Sequence, residues 1–137
     1  MESPEFVYEV IIKESMLDMM GHLNHAAYLT VFEEARWDIC ARQGMTIERM
    51  QERGIGLVVI EANIHYRKEL RARDRVVIRT RFLDIDRKIW RVSQTMHKDD
   101  KELCSTLHIK GAVFHLQERR LILGDAEWRS VFLGKDL

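Results

Sequence analysis

Residues His25 to Gln43 constrain the fold of this chain more than any other stretch. They contain neither proline nor glycine, and the apolar side chains Tyr28, Val31, Phe32, Ala35 and Ile39 recur at helical spacing. Asn24 is a suitable N-cap for a helix starting there, and Gly44 a suitable stop. The first half of this helix is apolar almost all round: Ala26, Ala27, Tyr28, Leu29, Val31 and Phe32 leave few directions for water. A helix of that kind belongs inside a fold rather than on its surface. With 137 residues, 46% of them hydrophobic, the chain can build one domain of ordinary size around it.

The cover for such a helix has to come from strands. Phe6 to Ile12 is rich in β-branched and aromatic residues and reads as a first strand. After the helix, Thr46 caps a short second helix, Ile47 to Arg53, that ends at Gly54. Four strands follow: Leu57–Tyr66, Arg75–Leu83, Ile89–His97 and Leu103–Leu116. In the second of these, Arg75, Arg79 and Arg81 share one face while Val76, Ile78 and Phe82 share the other. Turn-forming clusters at 84–88 and 98–102 separate neighbours closely enough for antiparallel hairpins. Asp125 to Leu133 reads as a short closing helix that docks Trp128 and Phe132. No repeat or Pro/Gly/Ser linker interrupts this order, so residues 1–137 read as one domain. One mostly antiparallel sheet buries one apolar helix by curling round it, which is the α+β hotdog arrangement.

Charge and cysteine content narrow the function classes. Net charge is zero, but residues 1–66 hold eleven acidic against five basic side chains, and residues 67–91 hold ten basic against four acidic. A local basic stretch in a neutral chain suits a compact polyanion better than a long nucleic acid. The plainer alternative is that these side chains solvate a strand face or guard a sheet edge. No apolar run reaches the roughly 18 to 20 residues that cross a bilayer, and the start of the chain lacks the pattern of a secretory signal. Cys40 and Cys104 sit in apolar surroundings without metal-ligand spacing, as buried reduced thiols would. A cytoplasmic protein that neither binds nucleic acid nor inserts into membrane is the expectation.

The segment Leu17-Asp-Met-Met-Gly-His-Leu-Asn-His-Ala-Ala-Tyr28 carries the chemistry. It places an acid, Asp18, in a glycine-containing loop just before the N-terminus of the apolar helix. Helix N-termini present unpaired N–H groups and a partial positive charge, and so stabilise oxyanions. A carboxylate beside such an end faces any carbonyl held there, a geometry suited to acyl transfer to water.

The pattern D-x-x-G-H-x-N-x-x-x-Y, followed by Phe32-Glu-Glu-Ala-Arg36, resembles the acyl-CoA thioesterases of the 4-hydroxybenzoyl-CoA thioesterase type. The likeness continues through Val58-Val-Ile-Glu-Ala-Asn-Ile-His-Tyr66 and Arg73-Asp74 and covers about residues 6 to 116. The resemblance implies that Asp18 is the catalytic carboxylate, as general base or as nucleophile through a mixed anhydride. It implies that the backbone N–H at His25 polarises the carbonyl, that Gly21 makes the close turn and that Asn24 caps the helix. His22 would line the mouth and Tyr66 would shape the acyl or pantetheine channel. Glu61 is a further carboxylate that some hotdog arrangements would use. The substrate implied is an acyl-CoA or acyl-carrier-protein thioester, with no cofactor beyond the coenzyme A of the substrate, and the family's intersubunit site implies a homodimer or homotetramer.

A thiol leaving group with a pKa of roughly 8.5, judged from cysteine, departs without a strong general acid, so one carboxylate and one oxyanion donor suffice. The basic strand would attract the coenzyme's phosphates at the rim. The chain departs from the family pattern at Met16, where many relatives carry a second aspartate, and at Met19 and Met20, where small residues are usual. Those methionines suggest a soft apolar wall for a long or variable acyl group. A metal held by Asp18, His22 and His25 is not expected, since no third histidine or cysteine lies near in sequence. The remaining alternatives are a hotdog dehydratase, which needs a different histidine and acid arrangement, and a non-catalytic acyl-CoA-binding protein that kept the fold.

Overall fold

The computed structural model describes residues 3–134. Its strands are β1 (Phe6–Ile11), β2 (Ile55–Tyr66), β3 (Arg75–Leu83), β4 (Trp90–Lys98), β5 (Glu102–His115) and β6 (Arg120–Ile122). Its helices are α1 (His25–Arg42), α2 (Ile47–Arg53) and α3 (Ala126–Leu133). The strands form one antiparallel sheet in the order β1-β3-β4-β5-β2, with β6 added to the end of β5. Placing β2 and β1 at opposite edges leaves α1 to cross the inner face, and the curl of the sheet brings both edges toward it.

The two-residue period of the strands decides that inner face. Tyr8 and Val10 pair with Ile78 and Val76, Phe82 with Val92, and Val92 in turn with Ile109. These residues, with Met96, Leu107 and Val113, meet Tyr28, Val31, Phe32, Ala35 and Ile39 of α1 in a single core. One polar node is buried within it. Gln94 donates through Nε2 to the Phe32 carbonyl (3.1 Å) and to Thr80 Oγ1 (3.0 Å). Its Oε1 accepts from the Arg36 guanidinium at 2.9 Å. Three hydrogen bonds satisfy the buried carboxamide and tie the helix to the sheet at one register.

The closing helix α3 docks as expected, with Trp128 and Phe132 buried. Phe132 stacks on Phe82 at 4.6 Å and leans on Trp90 at 5.2 Å. The sequence predicts five strands, and the described residues form six. The added strand, β6, spans three residues, too few for a two-residue period to register. The Glu14–Met16 3₁₀ turn is likewise additional.

Helix α1 departs from the expectation of burial all round. Ala26, Leu29, Thr30, Glu33 and Trp37 are exposed along one side of it. The sheet edge beside it, β2, exposes Val59 and Ile60 at a bulge. One sheet of this width covers only part of the helix circumference, so an apolar strip along α1 and β2 stays open.

Gly111 marks where packing is tightest. A Cβ there would lie 2.7 and 2.9 Å from the Trp90 ring and 3.0 Å from the Val58 carbonyl oxygen. Gly111→Ala is expected to destabilise the fold by about 1–3 kcal/mol, the usual cost of overpacking. A lowered urea midpoint at unchanged slope would register it, and an unaltered midpoint would show that Trp90 has room to move.

Candidate active site at the start of helix α1

The loop before α1 is closed by its own backbone. The Asp18 N–H donates to the His22 carbonyl (2.8 Å) and the Gly21 N–H to the Asp18 carbonyl (3.0 Å), with Gly21 at φ +79°. That left-handed conformation is the reason a glycine stands there. The Asp18 side chain divides its two oxygens. Oδ1 accepts from the Met20 and His22 N–H groups at 2.9 and 3.1 Å, while Oδ2 has no partner among the described residues. One oxygen therefore holds the loop and the other is available to a reactant.

The first turn of α1 leaves a single donor free. Asn24 Oδ1 accepts from the Ala26 N–H (2.9 Å), and the Asn24 carbonyl accepts from the Ala27 (2.8 Å) and Tyr28 (3.3 Å) N–H groups. The His25 N–H has no hydrogen-bond partner among the described residues. Of the four N–H groups that a helix start leaves unsatisfied, Asn24 itself takes those of Ala26 and Ala27, the Met16 carbonyl takes that of Asn24 at 3.0 Å, and that of His25 remains. It lies at the positive end of the helix dipole, suited to bind a developing oxyanion. The His25 imidazole is exposed and makes no hydrogen bond to another described residue.

The wall around this turn comes from the segment after β2. The Leu23 N–H donates to the Leu70 carbonyl at 2.7 Å, and Tyr28 donates its hydroxyl to the Lys68 carbonyl at 3.0 Å. Burial pushes the Tyr28 phenol up to about 12, so it stays a donor at any physiological pH. Tyr66 packs edge-on against Tyr28, ring centroids 5.0 Å apart, and donates its hydroxyl to the His25 carbonyl at 2.9 Å. The Glu69 carboxyl is held below the usual carboxylate range, chiefly by a hydrogen bond to its own backbone N–H and further by His22, Arg71 and Lys68 nearby. Loop 67–71 thus frames the mouth of the site, and it supplies Arg67, Lys68 and Arg71.

The structure brings Asp18, Gly21, His22, Asn24, His25 and Tyr66 together and leaves Glu61 apart. Glu61 shares the outer face of the sheet with Lys110, whose ammonium it pairs with at 3.1 Å. The two-residue period explains this: its neighbours Ala62 and Ile64 face α1, so Glu61 faces away. The expected methionine wall also differs, since Met19 and Met20 are exposed at the loop tip rather than packed over a pocket. The basic strand is largely committed to carboxylates. Arg79 pairs with Glu5 (2.6 Å) and Asp100 (2.8 Å), and Arg81 with Glu5 (3.5 Å). Arg67 and Arg71 have no ion pair among the described residues, a difference that charge counting along the sequence does not reveal. Among the described residues no group of three or more His, Cys, Asp or Glu is arranged to hold a metal ion. No helix among them is long and apolar enough to cross a membrane.

One antiparallel sheet curled round a single helix, with an acid-bearing loop at that helix's N-terminus, defines a hotdog-fold domain. The chain belongs to the thioesterase-like superfamily, whose family model matches residues 13–132. It is 33% identical over 112 residues to Protein THEM6 of Xenopus laevis, covering 78% of this chain and 54% of that protein. It is 32% identical over 81 residues to a betainyl-CoA thioesterase of Pseudomonas aeruginosa, covering 59% of this chain and 51% of that protein. The chain thus spans about half the length of these two relatives. Among solved structures, a 1,4-dihydroxy-2-naphthoyl-CoA thioesterase from Synechocystis superposes with a TM-score of 0.87 at 15% identity, over 98% of this chain and 99% of that one. At that identity the likeness establishes the fold.

Proposed function

We propose that this protein hydrolyses an acyl-CoA or acyl-carrier-protein thioester, with Asp18 as general base or nucleophile and the His25 N–H as the oxyanion donor. The observation that carries the reading is the pairing of a half-free carboxylate with the one uncapped N–H of α1. A thioester carbonyl resting on that N–H would present its carbon to water activated by Asp18 Oδ2, or to Oδ2 itself. Attack puts negative charge on the carbonyl oxygen, where the N–H and the helix dipole oppose it, and collapse expels the thiolate. Family membership and the betainyl-CoA thioesterase relative support the substrate class.

The active form is a homo-oligomer, a dimer or tetramer, in the cytoplasm. The open strip of Ala26, Leu29, Trp37, Val59 and Ile60 supports this, because an apolar face beside a free strand edge is a ready surface for a second copy. Coenzyme phosphates meet loop 67–71, whose Arg67 and Arg71 stand at the mouth of the site without an ion pair among the described residues, whereas Arg79 and Arg81 of β3 are already paired.

Three measurements test this. Asp18→Asn keeps a carbonyl oxygen to accept from Met20 and His22 but removes the charge. It should lower kcat about 100-fold or more against the best substrate of an acyl-CoA panel. Equal turnover by both forms would sink the mechanism, and tight acyl-CoA binding without turnover would favour a binding protein. Arg67→Ala with Arg71→Ala should raise KM for acyl-CoA several-fold at low salt but leave KM for the matching N-acetylcysteamine thioester, which has no phosphates, unchanged. A parallel rise for both esters would remove loop 67–71 from phosphate binding. Sedimentation should give a species of at least twice the chain mass that Trp37→Asp dissociates; a monomeric wild type would overturn the assembly.

A further inference from the structure

Tyr66 makes a contact that the channel-lining role expected of it does not explain. Its side chain is 47% exposed, so its hydroxyl has water available and no buried group forces the bond it makes. That hydroxyl is nevertheless directed at the His25 carbonyl, on the residue whose N–H is left free. Building on the thioesterase reading above, we propose that Tyr66 is a positioning residue for the hydrolytic step. By holding the His25 carbonyl, its hydroxyl fixes the first turn of α1 and hence the direction of the His25 N–H.

The contact has a rigid base. Tyr66 is the last residue of β2, in register with Ser105 of β5. Ser105 Oγ donates to the neighbouring His65 carbonyl at 2.7 Å, and the Arg67 and Lys68 N–H groups both donate to the Cys104 carbonyl, at 2.8 and 3.2 Å. The end of the strand is therefore pinned to β5, the strand next to it in the sheet. The phenol is aimed by its edge-on packing against Tyr28, which is itself buried and bonded to Lys68. From sheet to strand end to hydroxyl to helix carbonyl, each step is a direct contact.

The far side of the turn is less firmly held. The first residue of a helix has no preceding turn to bond to, and helix ends fray. Asn24 caps the turn and its own N–H holds the Met16 carbonyl at 3.0 Å, but neither bond reaches the His25 carbonyl. The Tyr66 bond ties the His25 carbonyl itself to the end of β2. An oxyanion donor is effective only when it is aimed before the charge forms, so loosening this tie weakens the transition state more than it weakens substrate binding.

The separation of kcat from KM distinguishes this from a channel wall or a purely structural role. Tyr66→Phe keeps the ring and removes the bond; Tyr66→Leu removes the ring as well. With a substrate that wild type turns over, Tyr66→Phe should lower kcat about fivefold to tenfold. Its KM should stay within about twofold and its thermal midpoint within about 2 °C of wild type, and the pH at half-maximal rate should not move. Unchanged kcat in Tyr66→Phe, or a loss confined to Tyr66→Leu and accompanied by a lower midpoint, would overturn the positioning role. A change in KM alone would overturn it too and return Tyr66 to the channel. If wild type hydrolyses no thioester, the thioesterase reading falls and takes this role with it. An active wild type with an indifferent Tyr66→Phe removes only the role.

Discussion

The position of the first turn of α1 relative to the sheet is the constraint on which the rest of this structure depends. It is set mainly by burial. Tyr28, Val31, Phe32, Ala35 and Ile39 lie against the inner face, each large side chain contributing about 1.5–3 kcal/mol when taken out of water. Burial alone would tolerate a slide or rotation of the helix. Gln94 removes that freedom, because its carboxamide finds the Phe32 carbonyl, Thr80 and Arg36 together at only one register. A shifted helix would leave a buried amide unpaired, which costs more than the bonds gain when made. The core provides most of the free energy, and the polar node selects the alignment in which His25 meets the Asp18 loop.

That alignment makes the economy of the site intelligible. The His25 N–H is unpaired but at the surface, so water can satisfy it and the fold bears little cost for leaving it open. Asp18 holds its loop through one carboxylate oxygen and leaves the other without a partner among the described residues, and the loop that presents it is closed by hydrogen bonds to its own backbone. Exposed Met19 and Met20 at the loop tip fit this, since nothing in a single chain requires them to be covered. The same incompleteness runs along α1 and β2. An apolar strip borders the site, so whatever covers the strip also lies close to the substrate.

How much of this was legible beforehand varies with the range of the interaction. The ends of α1 and α2 were readable because Asn24, Gly44, Thr46 and Gly54 act within four residues of themselves. The strands were readable where six or more residues keep a two-residue period, and β6 was not because it has three. The turn and cap beside Asp18 were legible because Gly21 and Asn24 act within a few residues of themselves. Tyr66 and His25 are 41 residues apart, and nothing in either neighbourhood states that one hydroxyl reaches the other's carbonyl. The face that Glu61 takes follows from its alternation with Ile64, but which of the two faces is the inner one depends on pairing with β5, across a register shift that composition does not record.

The basic stretch shows most clearly why charge along a sequence differs from charge in space. Ten cationic side chains between residues 67 and 91 suggest a strong positive field. In the fold, Glu5 and Asp100 converge on Arg79, Asp84 meets Arg91 at 2.5 Å and Glu14 meets Arg73 at 3.0 Å. Exposed pairs of this kind add little to stability. Their larger effect is to cancel the field over the outer face of the sheet, beyond a Debye length of about 8 Å at physiological salt. Among the described residues Arg67 and Arg71 keep no ion pair, and neither do Arg75, Arg87 and Lys88 elsewhere; the first two lie on loop 67–71, the segment that Leu23 and Tyr28 fasten to the start of α1. An anionic ligand would therefore be drawn to the mouth of the site rather than to the sheet as a whole.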